Sequence, residues 1–276
     1  MSAQSTIAWK RSGDSWLEDP SAAPSWRDRG ISHGLGLFET MLAIDDRIPL
    51  LDRHLKRLAA SCMKLGWDPG LPDLKAAFES FPGSGTRRLR LVLTSGSGPL
   101  DDAAAGDDRI AVLSIQPVEA PAETPLSLTI SPHRLNEHSI TAGLKTASYA
   151  EPILARSEAR ARGFDDALLL NTSEHLAEAT MANVFLVRDG GILTPPLRSG
   201  CLPGISRELV ISLAAEHGIH CEQRDLTADD IHAADACFLT SSLRGVAAVD
   251  RVDDTVFRPC ALTGRLQGLW RETMQA

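Results

Sequence analysis

From Pro49 to Trp67 the apolar residues Leu51, Leu55, Leu58, Cys62 and Leu65 recur at helical spacing, while Asp52, Arg53, Lys56, Arg57 and Lys64 fall on other faces. This pattern predicts an amphipathic helix. A shorter helix is predicted around Leu74 to Phe81. Pro82-Gly83-Ser84-Gly85 then breaks the chain, and Arg88-Leu-Arg-Leu-Val-Leu-Thr94 alternates as a strand, with Ile110 to Ile115 as its neighbour. Further on come a strand at Leu126 to Ile130, a helix from about Glu151 to Arg162 stopped by Gly163, and a buried strand at Ala167 to Leu170. Asp189-Gly190-Gly191 puts turn residues between the extended runs Asn183 to Val187 and Ile192 to Thr194, which predicts a hairpin. A helix opening at Gly204 and ending near Gly218, a strand at Ala236 to Thr240 and a last helix near Leu262 to Met274 complete a mixed α/β (α+β) pattern.

The segment from Gln116 to Pro125 carries three prolines and little apolar content, so it reads as an exposed connector. The expected division is an N-terminal α/β domain over 1–118, a linker over 119–125 and a C-terminal α/β domain over 126–276. With 276 residues, 43% of them hydrophobic, the chain can bury one large core or two of ordinary size. Its formal charge of −8 argues against a nucleic-acid partner, because phosphate backbones are bound by clustered Lys and Arg. Met1 to Lys10 has no apolar run, and no stretch approaches the ~20 apolar residues that span a bilayer, so a cytoplasmic protein without a membrane partner is expected. The five cysteines are odd in number, spread out and without a Cys-x-x-Cys pair, which indicates reduced thiols and no metal site.

Several chemistries fail at once. Neither Gly83-Ser-Gly85 nor Gly96-Ser-Gly98 has the spacing of a nucleophile elbow, no Rossmann or P-loop glycine pattern occurs, and His217, His220 and Cys221 straddle a predicted helix end. A lysine that condenses with an aldehyde needs apolar surroundings that disfavour its charged form. Lys10 is terminal, and Lys56, Lys64 and Lys75 sit on predicted helix surfaces, whereas Lys145 lies in Ala-Gly-Leu-Lys-Thr-Ala-Ser-Tyr. By composition alone a solvated lysine is still the commoner outcome for such a residue.

The flanking segments change that balance. Asp28-Arg-Gly-Ile-Ser-His-Gly-Leu-Gly-Leu-Phe-Glu-Thr40, Leu50-Leu-Asp-Arg-His-Leu-Lys-Arg-Leu58, Gly143-Leu-Lys-Thr146, Ala155 to Gly163, Leu176 to Phe185, Thr194 to Arg207 and Phe238-Leu-Thr-Ser-Ser242 together resemble the class IV aminotransferase family of fold-type-IV pyridoxal-phosphate enzymes. The resemblance runs over nearly the whole chain in the family's order. It implies a two-domain enzyme with pyridoxal 5′-phosphate at the domain interface, bound mainly by the C-terminal domain, and a homodimer. Lys145 would carry the cofactor as a Schiff base and serve as general base at the substrate α-carbon. Glu178 would face the pyridine nitrogen and keep it protonated. The turn Gly204, Ile205 and Ser206 would seat the phosphate at a helix start, with Ser241, Ser242 and Arg53 adding donors. Leu202 would lie against the ring, and Tyr149 would either meet the phenolate oxygen or simply pack.

On the substrate side the resemblance points to His33 and Arg90. The segment His33-Gly-Leu-Gly36 departs from the Tyr-Gly-Asp-Gly of many relatives. Thr94-Ser-Gly-Ser-Gly-Pro-Leu100 lacks the Arg-x-His of D-amino-acid transaminases and the Arg-Gly frequent in the lyases. Arg198 and Arg244, in loops beside the phosphate region, are open between substrate contact and solvation. The expected activity is transamination between a branched-chain-like amino acid or primary amine and a keto acid. The alternatives are a lyase that splits 4-amino-4-deoxychorismate into 4-aminobenzoate and pyruvate, and a non-catalytic homologue that only binds the cofactor.

Overall fold

The structure is a computed structural model that describes residues 5–68, 70–80, 83–119 and 124–276. The chain folds as two compact units, Met1–Ala120 with Leu144–Ser148, and Pro121–Gly143 with Tyr149–Ala276. Residues 120–123 of the expected linker lie outside the described residues, as do Phe81 and Pro82 at the end of the expected short helix. Leu144–Ser148 groups with the first unit, although its neighbours in sequence fall in the expected 126–276 domain. Its backbone pairing, described below, explains why.

The first unit is built on a five-stranded antiparallel sheet in the order β2-β1-β5-β4-β3, with β1 Ser5–Ser12, β2 Ser15–Glu18, β3 Gly36–Ile44, β4 Thr86–Thr94 and β5 Ile110–Pro117. Helix α1 (Arg29–Ser32) precedes β3, and α2 (Leu51–Lys64) and α3 (Leu74–Glu79) follow it. The predicted alternation of β4 is present: Leu89, Leu91 and Leu93 are buried, and the residues between them are half-buried. Leu37, Met41 and Ala43 of β3, Leu113 and Ile115 of β5, and Leu58 and Cys62 of α2 complete that core, which α3 closes with Leu74 and Phe78. The other sheet face carries Phe38, Thr40 and Leu42 of β3 opposite Val92, Arg90 and Arg88 of β4.

One ionic group sits inside the apolar core. Glu39, one residue after Phe38 and therefore on the core face, is 1% exposed. Arg57 grips it bidentately (Nε to Oε1 2.8 Å, Nη2 to Oε2 2.6 Å), and His54 Nδ1 lies 2.8 Å from Oε2. Burial alone raises this carboxyl's pKa, but the hydrogen bonds from His54 and Arg57 outweigh it and hold the group down at about 2.

The loop after β4 is also held by a buried charge. Arg29, 3% exposed, donates to the main-chain carbonyls of Gly96 (3.4 Å), Pro99 (3.1 Å), Asp102 and Ala104 (2.6 Å). A Cβ at Gly98 would lie 2.7 Å from Arg29 Cζ, so glycine lets the loop close over the guanidinium without displacing it. Trp67 Nε1 adds a bond to Ala103 O at 2.8 Å.

The second unit is a mixed nine-stranded sheet in the order β11-β10-β9-β12-β13-β6-β7-β8, with β14 (Thr255–Val256) paired to β13. The strands are β6 Leu126–Leu135, β7 Asp166–Asn171, β8 Leu176–Ala179, β9 Asn183–Arg188, β10 Gly191–Thr194, β11 Cys221–Gln223, β12 Ala236–Ser241 and β13 Gly245–Val252. The helices are α4 Ala150–Ala161, α5 Ile205–Glu216, α6 Ala228–His232 and α7 Ala261–Gln275. Asp189 (φ 52°) and Gly190 (φ 77°) make the predicted two-residue hairpin turn between β9 and β10. Phe185 of β9 and Phe238 of β12 are directly paired and stack at 4.9 Å, while Val184, Leu186, Cys237 and Leu239 point to the opposite face. Helix α5 packs on β12 and α7 on β13. Among the described residues no helix is long and apolar enough to cross a membrane.

Two outcomes are expected. Glu39→Gln should destabilise the protein by ~3–5 kcal/mol at neutral pH in denaturant unfolding, because it breaks a buried ion cluster from one side. The folded-state pKa of Glu39 is depressed, so the gap between wild type and variant is full above pH ~4.5 and shrinks as pH falls toward 2. A gap independent of acid would contradict the assignment. Arg29→Met should speed amide hydrogen exchange through residues 96–104 and leave β7 and β9 unchanged, since only that loop loses its template.

Candidate active site

In the first unit, β3 is an edge strand of its sheet, and an open edge presents unpaired N–H and C=O groups. The Lys145 segment fills it. Phe38 N donates to Lys145 O at 2.9 Å, Ala147 N donates to Gly36 O at 2.8 Å, and Leu37 and Thr146 form an antiparallel bridge. A Cβ at Gly36 would lie 3.1 Å from Ala147 Cβ and 3.0 Å from Leu93 O, so glycine here allows the close approach. Lys145 is half-buried, its Nζ lies 4.3 Å from the centroid of the buried Phe38 ring, and Arg90 Cζ lies 4.0 Å from the same centroid. Lysine, arginine and ring therefore share the sheet face opposite the Glu39 cluster. Arg53 is half-buried in the first turn of α2.

In the second unit, Glu178 on β8 is half-buried, and its Oε2 accepts from Leu202 N at 2.9 Å and from Asn183 Nδ2 at 3.4 Å. Asn183 Nδ2 also donates to Leu202 O at 2.8 Å, and a Cβ at Gly204 would lie 1.9 Å from Asn183 Oδ1. One amide thus joins the acid to the turn that starts α5. Burial, with the Glu178 carboxylate nearby, pushes the Cys201 thiol up to about 12, so Cys201 stays protonated and is no nucleophile.

Helix α5 starts at Gly204 with no side-chain cap, which leaves the N–H groups of its first turn facing the turn. Ser206 Oγ is buried there without a hydrogen-bond partner among the described residues, and so is Thr240 Oγ1. Thr240 is the cross-strand partner of Asn183, which places both side chains on one sheet face. Ile205 is buried, while Leu202, Ser241 and Ser242 are half-buried.

Other expected residues are exposed or hydrogen-bonded within the protein. Tyr149 OH donates to Thr180 O at 2.9 Å, which commits the phenol's one proton to the protein. His33 is exposed and its Nδ1 lies 2.7 Å from Ser32 Oγ. Arg198 is exposed and pairs with Asp225 at 2.9 Å, and Arg244 is exposed in the turn after β12. Phe38, Asn183 and Thr240 stand in the motif segments, but nothing in their spacing singles them out. Glu39 with His54 and Arg57 does leave a signal: a lone acid in an apolar run, and two basic residues three apart on the following helix.

The family model for class IV amino-transferases matches residues 36–252. A protein of Methanocaldococcus jannaschii, assigned as a branched-chain-amino-acid aminotransferase, is 30% identical over 249 residues, 87% of this chain and 86% of that one. The aminodeoxychorismate lyase of Vibrio harveyi is 28% identical over 256 residues, 87% of this chain and 93% of the lyase. The crystal structure of a Brucella abortus aminotransferase bound to the cofactor PLP superposes with a TM-score of 0.85 at 24% identity, covering 98% of this chain and 100% of that one, and so shares the fold. The match over most of the length, together with the ordered motif segments, establishes that the chain belongs to the class IV aminotransferase family of enzymes.

Proposed function

We propose that this enzyme uses pyridoxal 5′-phosphate, held through Lys145, to move an amino group between a branched-chain-like amino acid or related primary amine and a keto acid. The observation that carries the reading is the start of α5. Two buried hydroxyls lack a partner among the described residues, Ser206 in the first turn of that uncapped helix and Thr240 opposite Asn183, and the turn grips Glu178 through Leu202 N. Unsatisfied buried donors at a helix start fit a phosphate, and a fixed carboxylate fits a protonated ring nitrogen. When bound, the cofactor supplies an aldehyde that condenses with amines and a ring that accepts the electron pair released at the substrate α-carbon.

The chain's own groups would do the rest. Gly204, Ile205, Ser206, Ser241, Ser242 and Arg53 would bind the phosphate, and Leu202 would cover one ring face. Glu178 Oε2 is fixed by two donors, and the carboxylate held in this way would meet the ring nitrogen. The Lys145 ε-amine, backed by Phe38, would take and return the α-proton. Arg90, on the same face, would hold the substrate carboxylate. Tyr149, its proton spent on Thr180, would act as packing. His33 remains a candidate at the rim of the substrate side.

A homodimer in the cytoplasm is the expected setting. The dimer is supported by α4, where Leu154 is 68% and Ile153 51% exposed, apolar surface of the kind that interfaces cover. The cytoplasmic setting rests on the odd, scattered cysteines. The lyase is the second reading, favoured by the Vibrio harveyi enzyme, 93% of whose length matches.

Single-turnover mixing separates the two. Branched-chain amino acids should convert the loaded protein to the pyridoxamine form with release of a keto acid, and 4-amino-4-deoxychorismate should release no pyruvate. Pyruvate release without a pyridoxamine form would overturn transamination in favour of the lyase. Glu178→Gln should slow the half-reaction by roughly 10²-fold or more while the cofactor stays bound, because a preorganised charge is lost at the ring.

A further inference from the structure

We propose that Glu39 is a positioning residue for the cofactor. Through His54 and Arg57 it would set the register of α2 on β3, so that Arg53 meets the phosphate while Lys145 holds the aldehyde end, and it would thereby favour the phosphorylated vitamer over free pyridoxal. The inference rests on the roles proposed above for Arg53 and Lys145.

Stability alone does not account for a carboxylate at this place. Glu39 is 1% exposed among Leu37, Met41, Leu58 and Cys62, where well-packed apolar residues are often as stable as an ion cluster or more so. An ion cluster adds direction. The Arg57 fork at 2.6 and 2.8 Å and the His54 contact at 2.8 Å fix both the rotation of α2 and its position along its axis.

The start of helix α2 is uncapped and begins on a strained residue. Its N-cap, Leu50, is in the left-handed region (φ 62°), a costly conformation for a branched side chain, and makes no side-chain cap bond. The Glu39 contacts fall on residues 54 and 57, immediately after Arg53 and one turn beyond it. Arg57 and Arg53 are four apart and share a helix face.

The preceding residue of β3 reaches the lysine from the other side. Phe38 points to the opposite sheet face, carries the Lys145 ammonium 4.3 Å from its ring, and bonds Lys145 O through its N–H at 2.9 Å. The pair Phe38-Glu39 therefore ties Lys145 on one face to the helix of Arg53 on the other. A ligand anchored at both a phosphate and an aldehyde has a fixed covalent span. A helix slip of one residue moves Arg53 by about 1.5 Å, enough to take it out of step.

The test is titration of the apo protein with pyridoxal phosphate and with pyridoxal, followed by absorbance, for wild type, Arg53→Met, Glu39→Gln, Arg57→Lys and the double variant Glu39→Gln/Arg53→Met. The readout is the ratio of the two affinities, with thermal melting to show which variants are folded. Glu39→Gln is expected to lower the ratio roughly tenfold or more, like Arg53→Met, while pyridoxal affinity holds. The double variant should lose no more than Arg53→Met alone, because both act on one contact. Arg57→Lys keeps a cation against Glu39 but removes the fork, and it should lower the ratio in the same direction if Glu39→Gln does not fold. Equal loss for both vitamers, or additive effects in the double variant, would overturn the proposal as a plain stability effect. A fall with Arg53→Met but none with Glu39→Gln or Arg57→Lys would overturn the role of Glu39 alone. No fall with Arg53→Met would overturn the phosphate role of Arg53, and this inference with it.

Discussion

The hydrogen bonds that lay the Lys145 segment along the free edge of β3, from Phe38 N and to Gly36 O, fix the place of Lys145 in the first unit. Gly36 facing Ala147 lets the segment approach this edge closely. With the backbone fixed, the Lys145 side chain lies over the Phe38 ring, beside Arg90. This pairing also explains why Leu144–Ser148 belongs to a unit other than that of the residues flanking it.

The second unit holds a carboxylate in a fixed orientation beside an uncapped helix start. Asn183 serves both ends, donating to Glu178 and to Leu202 O while its Oδ1 occupies the space a side chain at Gly204 would need. The hydroxyls of Ser206 and Thr240 are buried without a partner among the described residues, and that cost is hard to justify in a protein that binds nothing there. It argues for a ligand at this turn, which an enzyme and a homologue that only binds the cofactor would share.

Much of the architecture is legible from periodicity. The amphipathic α2, the α4 stop at Gly163 (φ 85°) and the Asp189-Gly190 hairpin all follow local rules, and each is present. The strand that matters most for the lysine, β3, is not legible, because it is covered on both faces and shows no alternation, whereas β7 is read correctly as a short buried apolar run. The motif segments single out Lys145, Glu178 and the Gly204 turn, but motif order carries no information about hydrogen-bond partners. Only the folded chain reveals that Tyr149 spends its proton on Thr180, that Arg198 pairs with Asp225, and that Arg29 threads the loop at residues 96–104. His33 stands out in the sequence through a motif departure, and it is exposed at the end of α1.

The central claim is covalent attachment at one lysine. Loading the purified protein with pyridoxal phosphate, reducing it with borohydride and mapping the labelled peptide by mass spectrometry tests it directly. The account predicts a single phosphopyridoxyl group, on Lys145, which Lys145→Ala abolishes. A stoichiometric label on Lys10, Lys56, Lys64 or Lys75, or none on any lysine, would contradict it.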